Sequence, residues 1–261
     1  MNRIRSKALA GVLVLMTACG TGAAAGIAAG TGTRDGTTTS STSVMASTST
    51  GDEPIVDVVA ATTPSVVTVT SEIQSLSPFG SSQGKAVGTG FVVRSDGYIV
   101  TNHHVVADAS SVSVTLSNGD VHPATIVAQD EEHDLAVLKI DVDGLPALTL
   151  GDSNDVQIGE TVVAIGFALD LSGGPTVTSG ILSSLDRSID VQDSTRVRSY
   201  RDLLQTDAAL NHGNSGGPLL TLDGRLIGVD VAGGDGVENI GFAIPIDVAR
   251  PLLEQAVGTS F

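Results

Sequence analysis

A dozen short apolar runs, separated by turn-forming residues, follow one another through the 261-residue chain. Turns such as Asn118-Gly119-Asp120 and Asp223-Gly224 are typical of tight connections between antiparallel strands. A loop near Leu145–Asp155 divides the runs into two series. The predicted strands are Ser65–Thr70, Gly90–Val93, Tyr98–Thr101, Val112–Leu116, Ala124–Ala128, Leu135–Ile140, Thr161–Ile165, Thr176–Leu185, Leu203–Thr206, Leu219–Leu222, Leu226–Val231 and Ile240–Ala243. This pattern predicts an all-β fold of two antiparallel six-stranded β-barrels with short flanking helices, and a functional site in the cleft between them.

The composition limits both the core and the partners of such a fold. Hydrophobic residues make up 41% of the chain, aromatic residues only 3%, and tryptophan is absent, so the core must be aliphatic. The 13 basic and 29 acidic residues give a formal net charge of −16. Binding of nucleic acid or of anionic lipid needs a basic patch. We therefore expect no nucleic-acid partner.

The N-terminus has the pattern of an export signal. Three basic residues precede an uncharged, mostly apolar run at 8–18, and the single cysteine of the chain, Cys19, follows. This order predicts a secretory signal over residues 1–19, and its end resembles a bacterial lipoprotein cleavage box, in which the cysteine is lipidated. Met16 stands where that box usually has Leu. An uncleaved anchor is the alternative, because the uncharged stretch continues to Gly30, near the ~20 residues of a membrane span. Both alternatives place the following domain outside the cytoplasm, attached to the bacterial cell membrane.

The rest of the chain divides by composition. Residues 20–53 are mostly Thr, Ser, Gly and Ala, which bury too little surface to offset chain entropy, and we predict a flexible tether there. A single domain is predicted over residues 54–257, beginning with a short helix at Ile55–Ala61. Its first barrel would span about 65–145 and its second about 155–245.

The segment Gly213-Asn214-Ser215-Gly216-Gly217-Pro218-Leu219 is the strongest chemical signal. A serine hydroxyl is a poor nucleophile, so it must stand beside a base and near donors for a developing oxyanion. Glycines on both sides allow the backbone to turn sharply and to point amide N–H groups inward. We predict Ser215 as a nucleophile and this loop, Gly213, Asn214 and Ser215, as an oxyanion hole in which the Gly213 and Ser215 amides are the donors.

The base must then be a histidine, and five are available. His104 follows a strand-like run, and its neighbour His103 would face the opposite way if both were in a strand. His122 lies in a surface-like hairpin, His133 stands between acidic residues, and His212 is too close in sequence to Ser215 to reach back easily. His104 is therefore the predicted base.

The acid that orients the histidine should be buried and hydrogen-bonded to the imidazole. The acidic stretch at 130–134 offers several carboxylates, and Asp134 directly precedes the apolar strand Leu135–Ile140. Asp134 is therefore best placed at the rim of a barrel. The resulting order of His104, Asp134 and Ser215 along the chain is that of trypsin-like enzymes and differs from the orders of the other common triad folds.

Two competing patterns are weaker. Gly151-Asp152-Ser153 is a possible nucleophile fragment, but no glycine pair follows it, and we interpret it as a turn. A metal site formed by the histidines at 103, 104 and 133 with Asp134 would lack the spacing of known ligand motifs. We expect neither a metal nor another cofactor.

Several segments together resemble the HtrA (DegP/DegQ-like) family of trypsin-like serine proteases. They are Gly88-Thr89-Gly90-Phe91, Asp96-Gly97-Tyr98-Ile99-Val100-Thr101-Asn102, His104-Val105-Val106, Asp134-Leu135-Ala136-Val137-Leu138-Lys139-Ile140, Leu150-Gly151-Asp152-Ser153, Thr178-Ser179-Gly180-Ile181, Gln205-Thr206-Asp207-Ala208-Ala209, the serine segment and Ile240-Gly241-Phe242-Ala243-Ile244-Pro245. They cover most of the predicted domain. Position by position, the family's triad falls on His104, Asp134 and Ser215, and the implied fold is a chymotrypsin-like double barrel.

The resemblance also implies an activity and a substrate class. Members of the family are endopeptidases that act on unfolded or mislocalised polypeptides in the cell envelope. Substrate would add as a strand along the cleft, beside Val231, Ala232 and Gly233. A small or medium aliphatic residue is implied before the scissile bond. The sequence agrees, because trypsin-like enzymes that cut after Lys or Arg carry an acid six residues before the serine, where this chain has Ala209.

Departures from the family pattern bear on regulation. Asn214 replaces the Asp of digestive enzymes, so activation by insertion of a new N-terminus is not expected, and ordering of loops at Phe167–Pro175, Ser188–Arg201 and Gly233–Asn239 is the expected control. His212 stands where the family usually has Pro, which removes a backbone restraint from the oxyanion loop. A PDZ domain is not expected after residue 257, and the segment Ser71–Ala86 is interpreted as a short loop. A homotrimer, frequent in the family, carries over only weakly.

Two other functions remain open at the level of sequence. One is a membrane-tethered peptide-binding or chaperone module with a silent triad, although this chain keeps all three triad residues and the glycines. The other is a glutamyl endopeptidase on the same double barrel. That activity needs a polar pocket, whereas the strand Ile240–Ile244 is aliphatic.

Overall fold

The computed structural model describes residues 54–77, 80–168, 173–192, 197–231 and 239–259. Helix α1, Pro54–Thr62, opens this part of the chain, and a short 3-10 turn at Thr63–Ser65 leads into the first strand. The predicted helix at Ile55–Ala61 is thus confirmed. None of the helices within these ranges combines the length and the apolar character needed to span a membrane.

The first six strands close into an antiparallel barrel. They are β1 Val66–Ser77, β2 Gly80–Arg94, β3 Tyr98–Asn102, β4 Ala109–Thr115, β5 Val121–Asp130 and β6 Leu135–Lys139, with helix α2, His103–Val106, between β3 and β4. The order around the barrel is β1-β2-β3-β6-β5-β4, and pairing of β4 with β1 closes it. The turn before β3 requires Gly97, because its φ is +96° and an added Cβ would overlap the carbonyl of Ile140.

The second half forms a sheet in the order β11-β8-β9-β10-β13-β12-β7. Its strands are β7 Thr149–Leu150, β8 Thr161–Gly166, β9 Thr176–Gln192, β10 Val197–Thr206, β11 Pro218–Thr221, β12 Arg225–Val231 and β13 Gly241–Pro245. Because β11 also pairs with β12, the six longer strands close into a ring, and the short β7 adds to β12 in parallel. The predicted all-β double barrel is confirmed, with β7 as an addition inside the predicted loop.

Alternation along the strands explains how the two barrels share a core. In β6, Ala136 and Leu138 point into the first barrel, whereas Leu135 and Val137 join a cluster that also contains Val163 and Leu220 of the second. Successive strand side chains point to opposite faces, so a strand buried on both faces serves both cores. The C-terminal helix α3, Ile246–Val257, packs its apolar face onto the same shared cluster.

Two segments interpreted as loops are strands instead. Strands β1 and β2 stay paired from Val66 opposite Phe91 to Ser77 opposite Gly80, so Ser71–Ala86 belongs largely to a hairpin. Likewise β9 and β10 pair as far as Gln192 opposite Val197, within the interpreted loop Ser188–Arg201. Both extensions are rich in polar residues. A two-stranded ribbon that reaches beyond a barrel needs few apolar side chains, so the hydrophobic pattern does not reveal it.

Candidate active site

His104 and Asp134 are brought together where β3 ends and β6 begins. The His104 ring atom Nδ1 lies 2.7 Å from Asp134 Oδ2, and the His104 backbone N–H donates to Asp134 Oδ1 at 2.9 Å. This double contact fixes both the position and the ring orientation of the histidine. The structure thus joins two of the predicted triad residues directly.

His103 and His104 do not lie in a strand, as the sequence suggested. Both residues lie in helix α2 and not in a strand, so they do not point to strictly opposite faces. Consecutive helical residues are still about 100° apart, and the two side chains separate accordingly. His103 is buried and its backbone N–H donates to the Asp134 carbonyl at 3.0 Å, whereas His104 keeps about a third of its side chain exposed.

Asp134 has an unusual backbone conformation that aims its carboxylate. Its φ is +56°, in the left-handed region that Asp tolerates better than most residues. Its carbonyl accepts hydrogen bonds from the backbone of His103 and from Asn102 Nδ2, the latter at 3.0 Å. With the backbone held in this way at the start of β6, the side chain is fully buried beneath the His104 ring.

Strand β10 of the second barrel supplies two more partners to this carboxylate. Tyr200 donates its hydroxyl to Asp134 Oδ2 at 2.9 Å, and the Arg198 guanidinium donates to Oδ1 in a short ion pair. Burial alone would raise the pKa of Asp134, but the hydrogen bonds and charges of His104 and Arg198 together hold it below its ordinary value. Burial and the neighbouring carboxylate raise the pKa of Tyr200. The acid is therefore ionised while buried.

Sequence reasoning did not identify Arg198 or Tyr200. Both lie in the segment interpreted as a loop, and their own strand alternates without a strong apolar pattern. Tyr200 is one of only two tyrosines in the chain, and it is buried. That rarity is a weak signal, because nothing in the sequence links β10 to an acid some 65 residues earlier.

The serine loop is held mainly by backbone bonds. The Thr89 N–H donates to the carbonyl of Ser215 at 2.9 Å, and the Thr89 hydroxyl donates to the carbonyl of Gly213 at 2.6 Å. On the other side, the Gly216 N–H donates to the Asp230 carbonyl and the Asp230 N–H donates to the Gly217 carbonyl, both at 2.8 Å. Ser215 therefore lies in a loop that is clamped between β2 and β12.

Glycine at position 216 is required to place this loop beside the histidine. Gly216 has φ +83°, and a Cβ there would overlap the carbonyl of Thr89 and the hydroxyl of Thr101 and would lie 2.9 Å from the Asn102 amide. Asn102 immediately precedes helix α2. The close packing of Gly216 thus sets Ser215 next to the element that carries His104, as the triad prediction requires.

Asn214 contributes to the shape of the loop. It is buried, and its N–H donates to the Asn211 carbonyl at 3.0 Å. Its side chain lies against Gly166, where a Cβ would come within 2.8 Å of Asn214 Oδ1. The Asn214 side chain is thus directed at Gly166 of the second barrel, and its backbone N–H is bonded to Asn211. The predicted oxyanion donors remain the amides of Gly213 and Ser215. Gly213 has φ +97°, in keeping with a sharply turned loop.

Two of the predicted substrate-binding residues can be located, one at the end of β12 and one between β10 and the serine loop. Val231 is the last residue of β12, and its side chain is buried in the shared cluster. Ala209 is exposed, and its carbonyl accepts a hydrogen bond from Thr178 Oγ1 at 3.0 Å. Ala232, Gly233 and the predicted lipidation residue Cys19 lie outside the described residues.

The competing patterns have structural roles. Ser153 lies in a turn, and its hydroxyl and its backbone N–H both donate to Asp247 Oδ2, at 2.6 and 2.8 Å. The interpretation of Gly151-Asp152-Ser153 as a turn is confirmed. The His133 ring Nδ1 lies 2.7 Å from Asp130 Oδ2, in the exposed part of the turn that leads to Asp134.

A double barrel with a His–Asp pair of this geometry beside a glycine-flanked serine defines the trypsin-like class of serine peptidases. Comparison with known families agrees. Residues 88–229 match the model of the trypsin-like peptidase domain. This match covers more than half of the chain and includes all three predicted triad residues.

Individual relatives narrow the class. A probable periplasmic serine endoprotease, DegP-like, of Chlamydia muridarum is 46% identical over 173 residues, which are 65% of this chain and 33% of that protein. The serine protease Do-like HtrA of Bacillus subtilis is 41% identical over 216 residues, 77% of this chain and 48% of that protein. The chain thus spans between a third and a half of the length of these relatives.

Solved structures give the same assignment. The HtrA-type protease AlgW with a decapeptide matches with a TM-score of 0.65 and 33% identity over 77% of this chain and 67% of that one. AlgW with a tripeptide matches with a TM-score of 0.65 and 35% identity over 78% and 63%. The chain belongs to the HtrA family of trypsin-like serine endopeptidases.

Proposed function

We propose that this protein is a serine endopeptidase that cleaves unfolded or damaged polypeptides outside the cytoplasm through an acyl-enzyme. The observation that carries the proposal is the His104–Asp134 pair, with Nδ1 and Oδ2 2.7 Å apart, held next to the clamped Ser215 loop. The names of the relatives, which include periplasmic endoproteases and a protease with bound peptides, support both the location and the substrate class.

In the proposed mechanism, Ser215 Oγ attacks the scissile carbonyl while His104 Nε2 removes its proton. Asp134 accepts the Nδ1 proton in a hydrogen bond, so the ring presents Nε2 as the base and its positive charge is stabilised after proton transfer. The imidazolium then protonates the leaving amine, and water repeats the sequence on the acyl-enzyme. The amides of Gly213 and Ser215 would stabilise the oxyanion at each stage.

The four donors on Asp134 suit this role. A carboxylate that stays ionised while fully buried holds the histidine in one tautomer and keeps water out of the pair. Arg198 and Tyr200 belong to β10, so the second barrel supports an acid that the first barrel carries. The catalytic group of one barrel is therefore stabilised by a strand of the other.

Casein cleavage by the purified protein tests the activity, with the cut sites identified by mass spectrometry. Ser215→Ala should abolish cleavage and labelling by a fluorophosphonate. Ser153→Ala is a matched control, because that serine lies in a Gly-Asp-Ser sequence but donates its hydroxyl to Asp247. Peptide binding without cleavage or labelling by the folded wild type would favour the tethered binding module.

The membrane attachment and the assembly are parts of the same proposal. We propose lipidation at Cys19, with homotrimer formation by the barrel domain. Incorporation of labelled palmitate in cells that is lost in Cys19→Ala tests the anchor. Retention in the membrane fraction without label would instead favour an uncleaved signal anchor. Light scattering of the purified protein gives the number of chains per particle, and a monomeric mass would contradict the trimer.

A further inference from the structure

A second buried acid lies beside the serine loop and has no part in the mechanism above. Asp230, in β12, is fully buried, and neither of its carboxyl oxygens has a hydrogen-bond partner among the described residues. Asp134, by contrast, is saturated with donors. Burying a carboxyl group without partners is costly, and burial raises the pKa of Asp230 well above its ordinary value. Such a group calls for a functional explanation.

The backbone of Asp230 is bonded directly to the catalytic loop. Its carbonyl accepts from the Gly216 N–H, and its own N–H donates to the Gly217 carbonyl. These are the two residues that follow Ser215. Asp230 therefore lies directly against the loop that carries the nucleophile, on the strand next to it.

Strand pairing shows which way the carboxyl group points. Asp230 is opposite Ala243 of β13, and Ala243 is opposite Leu204 of β10. Ala243 and Leu204 belong to the interior cluster of the second barrel, whereas the next residue, Val231, belongs to the cluster shared by the barrels. Residues that face one another across paired strands share a face. The Asp230 side chain is thus directed into the second barrel.

The surroundings on this face are small. Ala243 is opposite Asp230, and Gly241, two residues earlier on the same face of β13, has no side chain. A Cβ at Gly241 would come within 2.8 Å of Leu210 Cδ1, in the segment that leads to the serine loop. The carboxyl group therefore lies near the serine loop and the start of β13, whose residues on this face are small, and Leu210 packs against that start.

We propose that Asp230 is the specificity-determining residue for the side chain that precedes the scissile bond, and that it selects a cationic residue, Lys or Arg. The inference rests on the proposed endopeptidase activity. An ammonium or guanidinium group would supply the hydrogen-bond donors that both oxygens lack, in a charge-assisted contact. The carboxyl proton is released to solvent when the ion pair forms. The formal net charge of −16 also favours the approach of cationic chains.

This assignment differs from the aliphatic preference implied by the family resemblance. That expectation rested on Ala209, which occupies the position where enzymes that cut after Lys or Arg carry an acid. Asp230 provides a carboxyl group from a different strand, 21 residues further along the chain. A site built to pair with a buried charge discriminates strongly against analogues that leave the charge unpaired.

Two quenched peptides that differ only in Lys or norleucine before the cleaved bond test the proposal on the full chain. Norleucine has the same carbon chain as Lys without the ammonium group. The wild type should cleave the Lys peptide with a kcat/KM at least about 10-fold higher. Asp230→Asn, which preserves shape, should lower this ratio to about 1. Asp202→Asn makes the same chemical change at an exposed position and should keep the wild-type ratio.

Three results would overturn the assignment. One is preference of the wild type for norleucine, and another is an unchanged ratio in Asp230→Asn. The third is an equal loss on both peptides in the variant, which would show a structural role for Asp230. Should Asp230→Asn not fold, inhibition of the wild type by benzamidine, a small aromatic cation, gives a second readout, and no inhibition at millimolar concentration counts against the proposal. Failure of fluorophosphonate labelling at Ser215 would instead refute the endopeptidase activity itself.

Discussion

Two carboxyl groups are buried near the candidate active site, one bonded to the His104 ring and one on the strand that holds the serine loop, and their surroundings differ completely. The region around Asp134, at the edge of the first barrel, offers hydrogen bonds from a histidine, a tyrosine and an arginine. The region around Asp230, inside the second barrel, offers its oxygens none among the described residues. The pKa of the first acid is lowered and that of the second is raised. Burial by itself therefore does not define the charge of an acid; its partners do.

The comparison also separates two tasks. A carboxylate that orients a base must be ionised and immobile before substrate arrives, so its partners belong to the protein. A carboxyl group that recognises a substrate must lack partners until the substrate supplies them. The same residue type, at the same depth, is suited to one task or the other by the donors around it.

The largest expected effect is on kcat, and it distinguishes Asp134 from Asp230. Asp134→Asn should lower kcat by about 10⁴-fold, because the histidine then loses its correct tautomer. The effect should be similar for every peptide, whereas Asp230→Asn should act chiefly on peptides with Lys or Arg. Steady-state kinetics on the Lys and norleucine peptides measures both. An equal response of the two peptides to both variants would remove the proposed division of tasks.

The next largest expected effect concerns the serine loop, at Gly216. Gly216→Ala should lower the free energy of unfolding by about 3 kcal/mol and abolish labelling of Ser215, because the added methyl group meets the Thr89 carbonyl. Gly119→Ala is the matched control. Gly119 also has a positive φ, but nothing lies within 4 Å of the point that an added Cβ would occupy, so only about 1 kcal/mol should be lost. Equal losses in urea denaturation would show that backbone strain alone matters.

The stability of Asp230→Asn should depend on pH in a defined direction. Folded Asp230 keeps its proton above the ordinary pKa of 3.8, where the unfolded chain has lost it. The free energy of unfolding of the wild type therefore falls as the pH rises above that value, and asparagine removes this loss. The variant should gain at least about 1 kcal/mol relative to the wild type on going from pH 4 to pH 7. Urea denaturation at both pH values measures the gain, and a pH-independent difference would contradict it.

The smallest expected effect concerns Arg198. The stability that depends on Asp134 falls as the pH is lowered, whereas that of Asp230 falls as the pH is raised. Asp134 has a lowered pKa, so its contribution to stability is present above pH 3.8 and is lost as the pH falls through the lower folded-state value. Arg198→Gln removes one cause of the shift. The variant should lose roughly 1 kcal/mol at neutral pH and unfold at a higher pH on acid titration. Arg201→Gln, whose partner Asp190 is exposed, should change neither by a measurable amount.

The sequence predicted the architecture and the pairing of His104 with Asp134, and the choice of Ser215 as nucleophile stays a prediction; all three rest on local signals. The apolar runs marked the strands, and the glycines around Ser215 marked a loop whose backbone needs them. Asp134 could be chosen from an acidic stretch because it borders a buried strand. In each of these cases the informative residues are neighbours in the chain.

The contacts that distinguish the two acids could not be predicted in this way. Arg198 and Tyr200 reach Asp134 from a strand without a clear apolar pattern, and their effect depends on a pairing between the two barrels. Asp230 follows a valine near the end of a mostly apolar strand, and the sequence shows the acid but not its lack of partners. Hydrogen-bond satisfaction is a property of the assembled fold, so it has no signature in local sequence.

The hydrogen bonds of Thr89 connect the two barrels at the serine loop. Through its hydroxyl and its amide, this residue of the first barrel holds two carbonyls of the serine loop, and the same hydroxyl accepts the N–H of Phe167 in the second barrel. Part of the joint between the barrels and part of the support of the nucleophile are thus the same bonds. A load that separated the barrels would therefore act directly on the loop of Ser215, while the strand pairs within each barrel would not carry it.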